Sequence, residues 1–320
     1  MTLTLEQVAA LTHGVSYTTI ENNRLIFHRL TAEQEDFLQK TDPTRLLRSA
    51  CPAGVTLEFT TTATSIAFSA LVGAYIGRTH YGFSLFVNGK RHESVEGDIP
   101  FGHTQTVEAT LSLDEGTKAI VIQLPNLFSC EWISLSADAP VSPLPNRKTN
   151  LLLLGDSITQ GYDSVHPEDV YAVKLSRLLD AEVRNRSIAG EYFRPTYATF
   201  RDEFEPDIIT VAYGTNDWSV KGRELLDDAE GFFRNLKITY PNARIYALLP
   251  LWRNDHDNIT NFGALPELNP ALRERIEWIG GIIVIDCYDA IPHEQRFFTD
   301  LVHPMQEGHQ YYFDHIKKYI

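Results

Sequence analysis

The stretch Asn150-Leu-Leu-Leu-Leu-Gly-Asp-Ser157-Ile-Thr-Gln-Gly161 decides how the chain reads. Four consecutive leucines, with no polar alternation, make a strand buried on both faces. The Gly-Asp-Ser that follows takes the chain into a turn and then a helix. Downstream the period keeps switching. Asp169 to Leu179 has helical spacing, Glu182 to Ile188 reads as a strand, and so does Asp207 to Tyr213. Glu224 to Ile238 is a helix stopped by Pro241, and Ala243 to Leu249 is a strand. Pro270 to Ile279 is a helix with Asn269 as its cap, Gly281 to Asp286 the last strand, and Gln306 to Tyr319 the last helix. Strands alternating with helices predict a parallel sheet covered on both faces, with any site at the carboxyl ends of its strands.

Upstream the pattern is different. Between about Thr56 and Ala137 short runs alternate apolar and polar residues, rich in β-branched and aromatic types: Val55–Thr60, Ser65–Ala70, Gly82–Lys90, Gln105–Leu111, Lys118–Leu124 and Cys130–Leu135. Asn88-Gly89 is a tight-hairpin signal. Many short strands without helices between them predict a β-sandwich of jelly-roll type. Three prolines in Ala139–Lys148 read as a linker. The expected organisation is therefore a β-sandwich over residues 1–140, a linker over 141–149, and an α/β domain over 150–320.

The chain has 320 residues and a formal net charge of −14, which disfavours nucleic acid and anionic membranes as partners. Arg184, Arg186 and Arg194 are too scattered to form a basic stripe, and no apolar run reaches the ~20 residues of a membrane helix. Cys51, Cys130 and Cys287 are odd in number and far apart, so they read as small buried residues, neither disulfides nor metal ligands. The N-terminus shows no basic segment followed by an apolar one, and a cytoplasmic location is the expectation.

Four segments fall just past predicted strands. In Gly155-Asp156-Ser157-Ile158 a serine enters a turn above the sheet, where backbone N–H groups can face whatever its hydroxyl attacks. A serine in that place also caps helices routinely. Gly190, in Ser187-Ile-Ala-Gly-Glu191, can let the backbone approach a ligand or form an ordinary turn. Asn216, in Gly214-Thr-Asn-Asp217, can donate its amide to a developing oxyanion or stabilise its own turn. His303, in Asp300-Leu-Val-His-Pro304, can be oriented by Asp300 and take a proton from a serine. With eleven histidines in the chain, such a pairing also arises by chance. His309 and His315 read as helix-face residues, and Asp156 as scaffold beside the serine.

Taken in order, these blocks resemble the SGNH (GDSL-type) hydrolase superfamily, named for its serine, glycine, asparagine and histidine blocks. The resemblance covers about Asn150 to Ile320 and implies a flavodoxin-like three-layer fold. It implies Ser157 as nucleophile, His303 as general base and Asp300 as the acid that orients it. It further implies an oxyanion hole of the Ser157 N–H, the Gly190 N–H and the Asn216 amide. The reaction implied is ester hydrolysis through an acyl-enzyme, with neither metal nor organic cofactor. In some relatives a backbone carbonyl replaces the orienting acid.

A β-sandwich ahead of such a domain is similar to carbohydrate esterase family two and related sugar deacetylases. That architecture implies an acetylated sugar or oligosaccharide as substrate. Trp252 and Arg253 follow a strand and, with Tyr192, Phe193 and Trp218, are candidates to line the pocket; a structural Trp packed on a loop is the competing reading. Nothing in the N-terminal segment marks a ligand groove, so its expected role is structural: to shape the cleft or mediate homo-oligomerisation. Two alternatives stay open, a short-chain lipid or thioester hydrolase and a non-catalytic carbohydrate-binding protein.

Overall fold

The computed structural model describes residues 1–320. Its second half is built on five parallel strands, Thr149–Gly155, Ala181–Asn185, Ile208–Ala212, Arg244–Leu248 and Ile282–Ile285. The second lies outside the first and the others follow on its other side, the spatial order 2-1-3-4-5 of flavodoxin-like sheets. The leucine run shows why two cores form. Leu152 and Leu154 enter one cluster of 27 buried residues, and Leu151 and Leu153 enter another of 21 on the opposite face. Each fully buried leucine contributes about 1.5–3 kcal/mol.

The helices follow the same logic. Leu225–Thr239 presents Leu225, Leu226, Ala229, Phe232, Phe233 and Leu236 on one stripe to the first cluster. Tyr171–Leu178 and Gln306–Ile316 cover the other face. The helix expected from Pro270 begins earlier, at Leu268. Asn269 is therefore not its cap. Its buried amide instead donates to Pro250 O at 2.9 Å and Asp286 Oδ1 at 2.8 Å, fastening the helix to two loops.

The first half holds two antiparallel sheets enclosing a core of 33 buried residues, in which Phe68 stacks on Trp132 at 5.0 Å. The Asn88-Gly89 turn joins His80–Val87 to Lys90–Asp98, with both turn residues at positive φ. Val141–Pro143, within the expected linker, is instead a short strand on Thr56–Thr61. Its one proline, Pro143, sits at a sheet edge, where a missing N–H costs little.

Reading the N-terminal segment as sandwich alone also needs correction. Residues 30–50 leave the sheets as two helices, Ala32–Thr41 and Pro43–Ser49, and Leu30 and Leu38 bury into the parallel-sheet cluster. Buried Arg29 donates to the carbonyls of Cys51, Asn185 and Ser187, so its charged fork ties this segment to the end of the second parallel strand. No helix is long and apolar enough to cross a membrane.

Candidate active site

Gly155 ends the first parallel strand opposite Ala212 on the third, at the point where the strand order reverses. A Cβ on Gly155 would fall 2.1 Å from Thr159 Oγ1, so only glycine allows the sharp exit from strand to helix. That helix is one turn, Ser157–Gln160. Its cap is Asp156, whose carboxylate accepts from the Ile158 N–H at 2.9 Å. Asp156 therefore does more than back the serine: it fixes the turn that lifts Ser157 above the sheet.

His303 arrives from a loop 146 residues away. Its Nε2 lies 2.8 Å from Ser157 Oγ and its Nδ1 2.8 Å from Asp300 Oδ2. The other Asp300 oxygen accepts the backbone N–H groups of Val302 and His303, each at 2.8 Å, so one carboxylate both shapes the loop and aims the ring. With Nδ1–H directed at the carboxylate, Nε2 is the acceptor for the Ser157 hydroxyl proton. Partial burial raises the pKa of Asp300. The hydrogen bonds from the His303 N–H, the imidazole and the Val302 N–H outweigh it and hold that carboxyl below its ordinary value.

Gly190 and Asn216 complete the arrangement from the second and third strands. Gly190 sits at φ +85°, and its N–H carries no protein partner. The neighbouring Ala189 N–H is held at 2.7 Å by Gln160 Oε1, a side chain of the Ser157 turn. Asn216 donates one amide hydrogen to Glu191 O at 2.8 Å, which orients the side chain and leaves the other hydrogen free. Asp217, fully buried, accepts from the Phe193 N–H at 3.1 Å and so locks the glycine and asparagine loops together. Burial raises the pKa of Asp217 to about 6 against the pull of Lys221. Burial, with the like charge of Asp217 nearby, raises that of Asp156 to about 7 despite the Ile158 hydrogen bond.

Three of the expected pocket residues are placed elsewhere. Trp218 is 1% exposed, its indole N–H donates to Gly263 O at 3.0 Å, and the Arg253 guanidinium covers its face at 4.9 Å. Arg253 is spent on Thr215 O, Ser219 Oγ and the Asp255 carboxylate. Trp252 is 7% exposed and lies stacked on His293 at 4.9 Å. These are packing residues, because the strand-to-loop segment that carries them is roofed by other loops. Phe193 is buried among aromatic rings. Tyr192 is half-buried, with Arg45, Arg194 and Lys221 each within 4.6 Å of its ring centre.

Sequence reading missed a second ring of groups around the serine. Tyr162 packs its ring 4.5 Å from that of His303 and is covered at 4.3 Å by the Arg78 guanidinium. Arg78 comes from the first half of the chain and grips both oxygens of Asp163. Asp163 Oδ2 in turn is 3.9 Å from His303 Nδ1, and Arg78 Nη2 is 3.8 Å from Asp300 Oδ2. Arg45 and Arg48, from the Pro43–Ser49 helix, donate to the carbonyls of Gly190 and Ala189. A local signal existed only for Tyr162 and Asp163, which directly follow Gly161; no motif spacing points to the arginines.

Residues 153–311 match the model of the GDSL-like lipase/acylhydrolase family. The second half of the chain belongs to this family. No curated protein matches the chain. Among solved structures it is similar to the salicylyl-acyltransferase SsfX3 from a tetracycline biosynthetic pathway, with TM-score 0.83, 15% identity, and coverage of 96% of this chain and 92% of that one. It is also similar to a GDSL-like lipase from Bacteroides ovatus, with TM-score 0.78, 18% identity, and coverage of 100% and 95%. A family two carbohydrate esterase from Clostridium thermocellum follows, with TM-score 0.65, 16% identity, and coverage of 83% and 91%. At these identities the likeness is one of fold. It extends over both halves of the chain, the antiparallel sheets included. The family match, not the likeness of fold, supports an acyl-ester hydrolase.

Proposed function

We propose that the protein is a serine esterase that removes a short acyl group, acetyl, from a sugar or oligosaccharide. The observation that carries the reading is the unbroken chain Ser157 Oγ, His303 Nε2, His303 Nδ1, Asp300 Oδ2, with 2.8 Å at both hydrogen bonds, above the switch point of the sheet. Ser157 Oγ attacks the ester carbonyl as its proton passes to His303 Nε2. Negative charge gathers on the former carbonyl oxygen, and the N–H groups of Ser157 and Gly190 and the free Asn216 amide hydrogen stabilise it. His303 then protonates the leaving sugar oxygen as the acyl-enzyme forms. Water attacks the acyl carbon, gives its proton to His303, and frees Ser157 together with the carboxylic acid.

Preference for a short acyl group is supported by the polar surroundings of the serine. Arg48 stands at the Gly190 turn, Tyr162 with Arg78 lies on His303, and Asn216 is held at Glu191, so the groups that surround the proposed site are largely polar. Sugar as the leaving group is supported by the architecture shared with a family two carbohydrate esterase. The test is hydrolysis of 4-nitrophenyl acetate, butyrate and octanoate by the wild type, Ser157→Ala and His303→Ala. Acetate should be preferred, and both variants should lose at least 10³-fold in kcat. Octanoate preference refutes the short-acyl assignment. Activity surviving Ser157→Ala refutes the nucleophile.

A further inference from the structure

The cations at the rim of the cleft are nearly all neutralised in place. Arg45 and Arg194 share the carboxylates of Asp42 and Glu191. Arg78 is held by Asp163, and Lys221 by Asp217 and Asp228. Arg48 is the exception. It makes no ion pair, and its one side-chain hydrogen bond runs from Nη1 to Ala189 O at 2.8 Å. A guanidinium carries five donors, so most of its fork is unspent.

Its position is fixed at the glycine turn. Nη1 stands 2.5 Å from where a Cβ of Gly190 would be, against the turn that offers the Gly190 N–H. Burial raises the pKa of Tyr162, and the charges of Arg78 and Arg48 oppose it. The Tyr162 ring in turn lies on His303. Arg48 is thus held against the glycine turn. The side chain is only half-buried, and its unspent donors reach solvent. The chain carries a net charge of −14, yet no carboxylate pairs with Arg48. A fixed, unpaired guanidinium beside the turn that offers the Gly190 N–H can take a carboxylate in bidentate geometry.

We propose that Arg48 binds a carboxylate carried by the ester substrate, so that the enzyme selects acidic esters, such as acylated uronates, over neutral ones. The proposal rests on the reading of Ser157 as the esterase nucleophile. It also assigns a task to the Pro43–Ser49 helix, which brings a residue from the first half of the chain against the Gly190 turn.

The test compares matched acidic and neutral esters. One pair places the carboxylate on the leaving side, 4-acetoxybenzoate against its methyl ester. The other places it on the acyl side, the 4-nitrophenyl monoester of glutaric acid against 4-nitrophenyl butyrate. The readout is the acidic-to-neutral ratio of kcat/KM in wild type, Arg48→Met and Arg48→Lys. Arg48→Met should lower the ratio at least tenfold in one pair, and the pair affected says which side of the ester carries the charge. Arg48→Lys should recover part of it. If Arg48 only braces the Gly190 turn, both members of each pair slow together, and an unmoved ratio in both pairs overturns the proposal. Loss of all turnover in Ser157→Ala tests the esterase reading separately. Calorimetric titration of the Ser157→Ala protein with 4-acetoxybenzoate and its methyl ester makes the comparison without turnover. Tighter binding of the acid, lost in Ser157→Ala/Arg48→Met, supports the proposal; equal binding of the two overturns it.

Discussion

Replacing Asp300 tests the catalytic geometry most directly, because asparagine and alanine should fail to different degrees. In Asp300→Asn the Oδ1 position can still accept the Val302 and His303 N–H groups, so the loop keeps its shape. The group facing His303 Nδ1 becomes an amide N–H, 2.8 Å away. It donates, and so forces Nδ1 to accept and Nε2 to carry the proton. The histidine then points a hydrogen at Ser157 Oγ and cannot take one. Loss of the correct tautomer costs about 10³–10⁴ in kcat, or about 4–5.5 kcal/mol. In Asp300→Ala no amide imposes the wrong tautomer. Asp300 is 42% exposed, so water can replace it at the two backbone N–H groups, and Asp163, 3.9 Å from Nδ1, can take over part of the orientation. The expected loss is smaller than that of the asparagine variant and is deepened by adding Asp163→Ala. The assay is kcat for 4-nitrophenyl acetate at pH 8, with a melting curve for each variant. Asp300→Asn within tenfold of wild type would show that this carboxylate does not set the tautomer, and an alanine variant worse than the asparagine one would refute the backup role of Asp163. Because the hydrogen bonds keep the pKa of Asp300 below its ordinary value, this orientation holds above the ordinary carboxylate range and fails only as pH falls through the lowered value.

Asn216→Ala removes one oxyanion donor and the bond to Glu191 O, and should lower kcat about 10²–10³-fold with KM little changed. Asp156→Asn keeps an acceptor for the Ile158 N–H but removes a carboxyl whose folded pKa, about 7, exceeds its unfolded value. Wild-type stability should therefore fall as pH rises from about 4 to 7, and the variant should melt higher than wild type at pH 8 but not at pH 4, by an amount on the order of a few kcal/mol. Arg29→Leu strips a donor from three carbonyls and should cost about 3 kcal/mol or more, read as a melting temperature lowered by about 6–12 °C.

The parallel half was legible because each signal in it is local. An unalternated Leu151–Leu154 run must be buried on two faces, and it is, two leucines in each cluster. Gly155, Asp156 and Ser157 are adjacent in sequence and act together within one turn, while Asp300 and His303 meet within one loop. Trp252, Arg253 and Trp218 were misplaced because being past a strand end puts a residue on the right edge of the sheet without saying whether another loop covers it. The helices at 32–49 carried signals that went unread: Thr31 and Gln34 form a capping box, and Pro43 follows the capping Asp42. The Asn22-Asn23 turn, both residues at positive φ, joins Tyr17–Glu21 to Arg24–His28 as Asn88-Gly89 joins its own pair.

The arginines were illegible for a different reason. In sequence, Arg45, Arg48 and Arg78 are single charges in polar surroundings, which ordinarily means a solvated surface. Their meaning arises only when the first half of the chain is packed against the second, because the groups they hold lie far along the chain. Arg78 meets Asp163 across 85 residues, and Arg48 meets Ala189 across 141. This makes the first half part of the candidate site. The loop that offers the Gly190 N–H is held by the Gln160 side chain from the serine turn and by two arginines from the Pro43–Ser49 helix. The ring on His303 is held by a third, Arg78. A parallel-sheet domain isolated from residues 1–140 would keep Ser157, His303 and Asp300 but lose the guanidinium groups that fix the oxyanion turn and cover Tyr162. Its catalytic chain would be present in composition and slack in geometry, which is why the two halves act as one site.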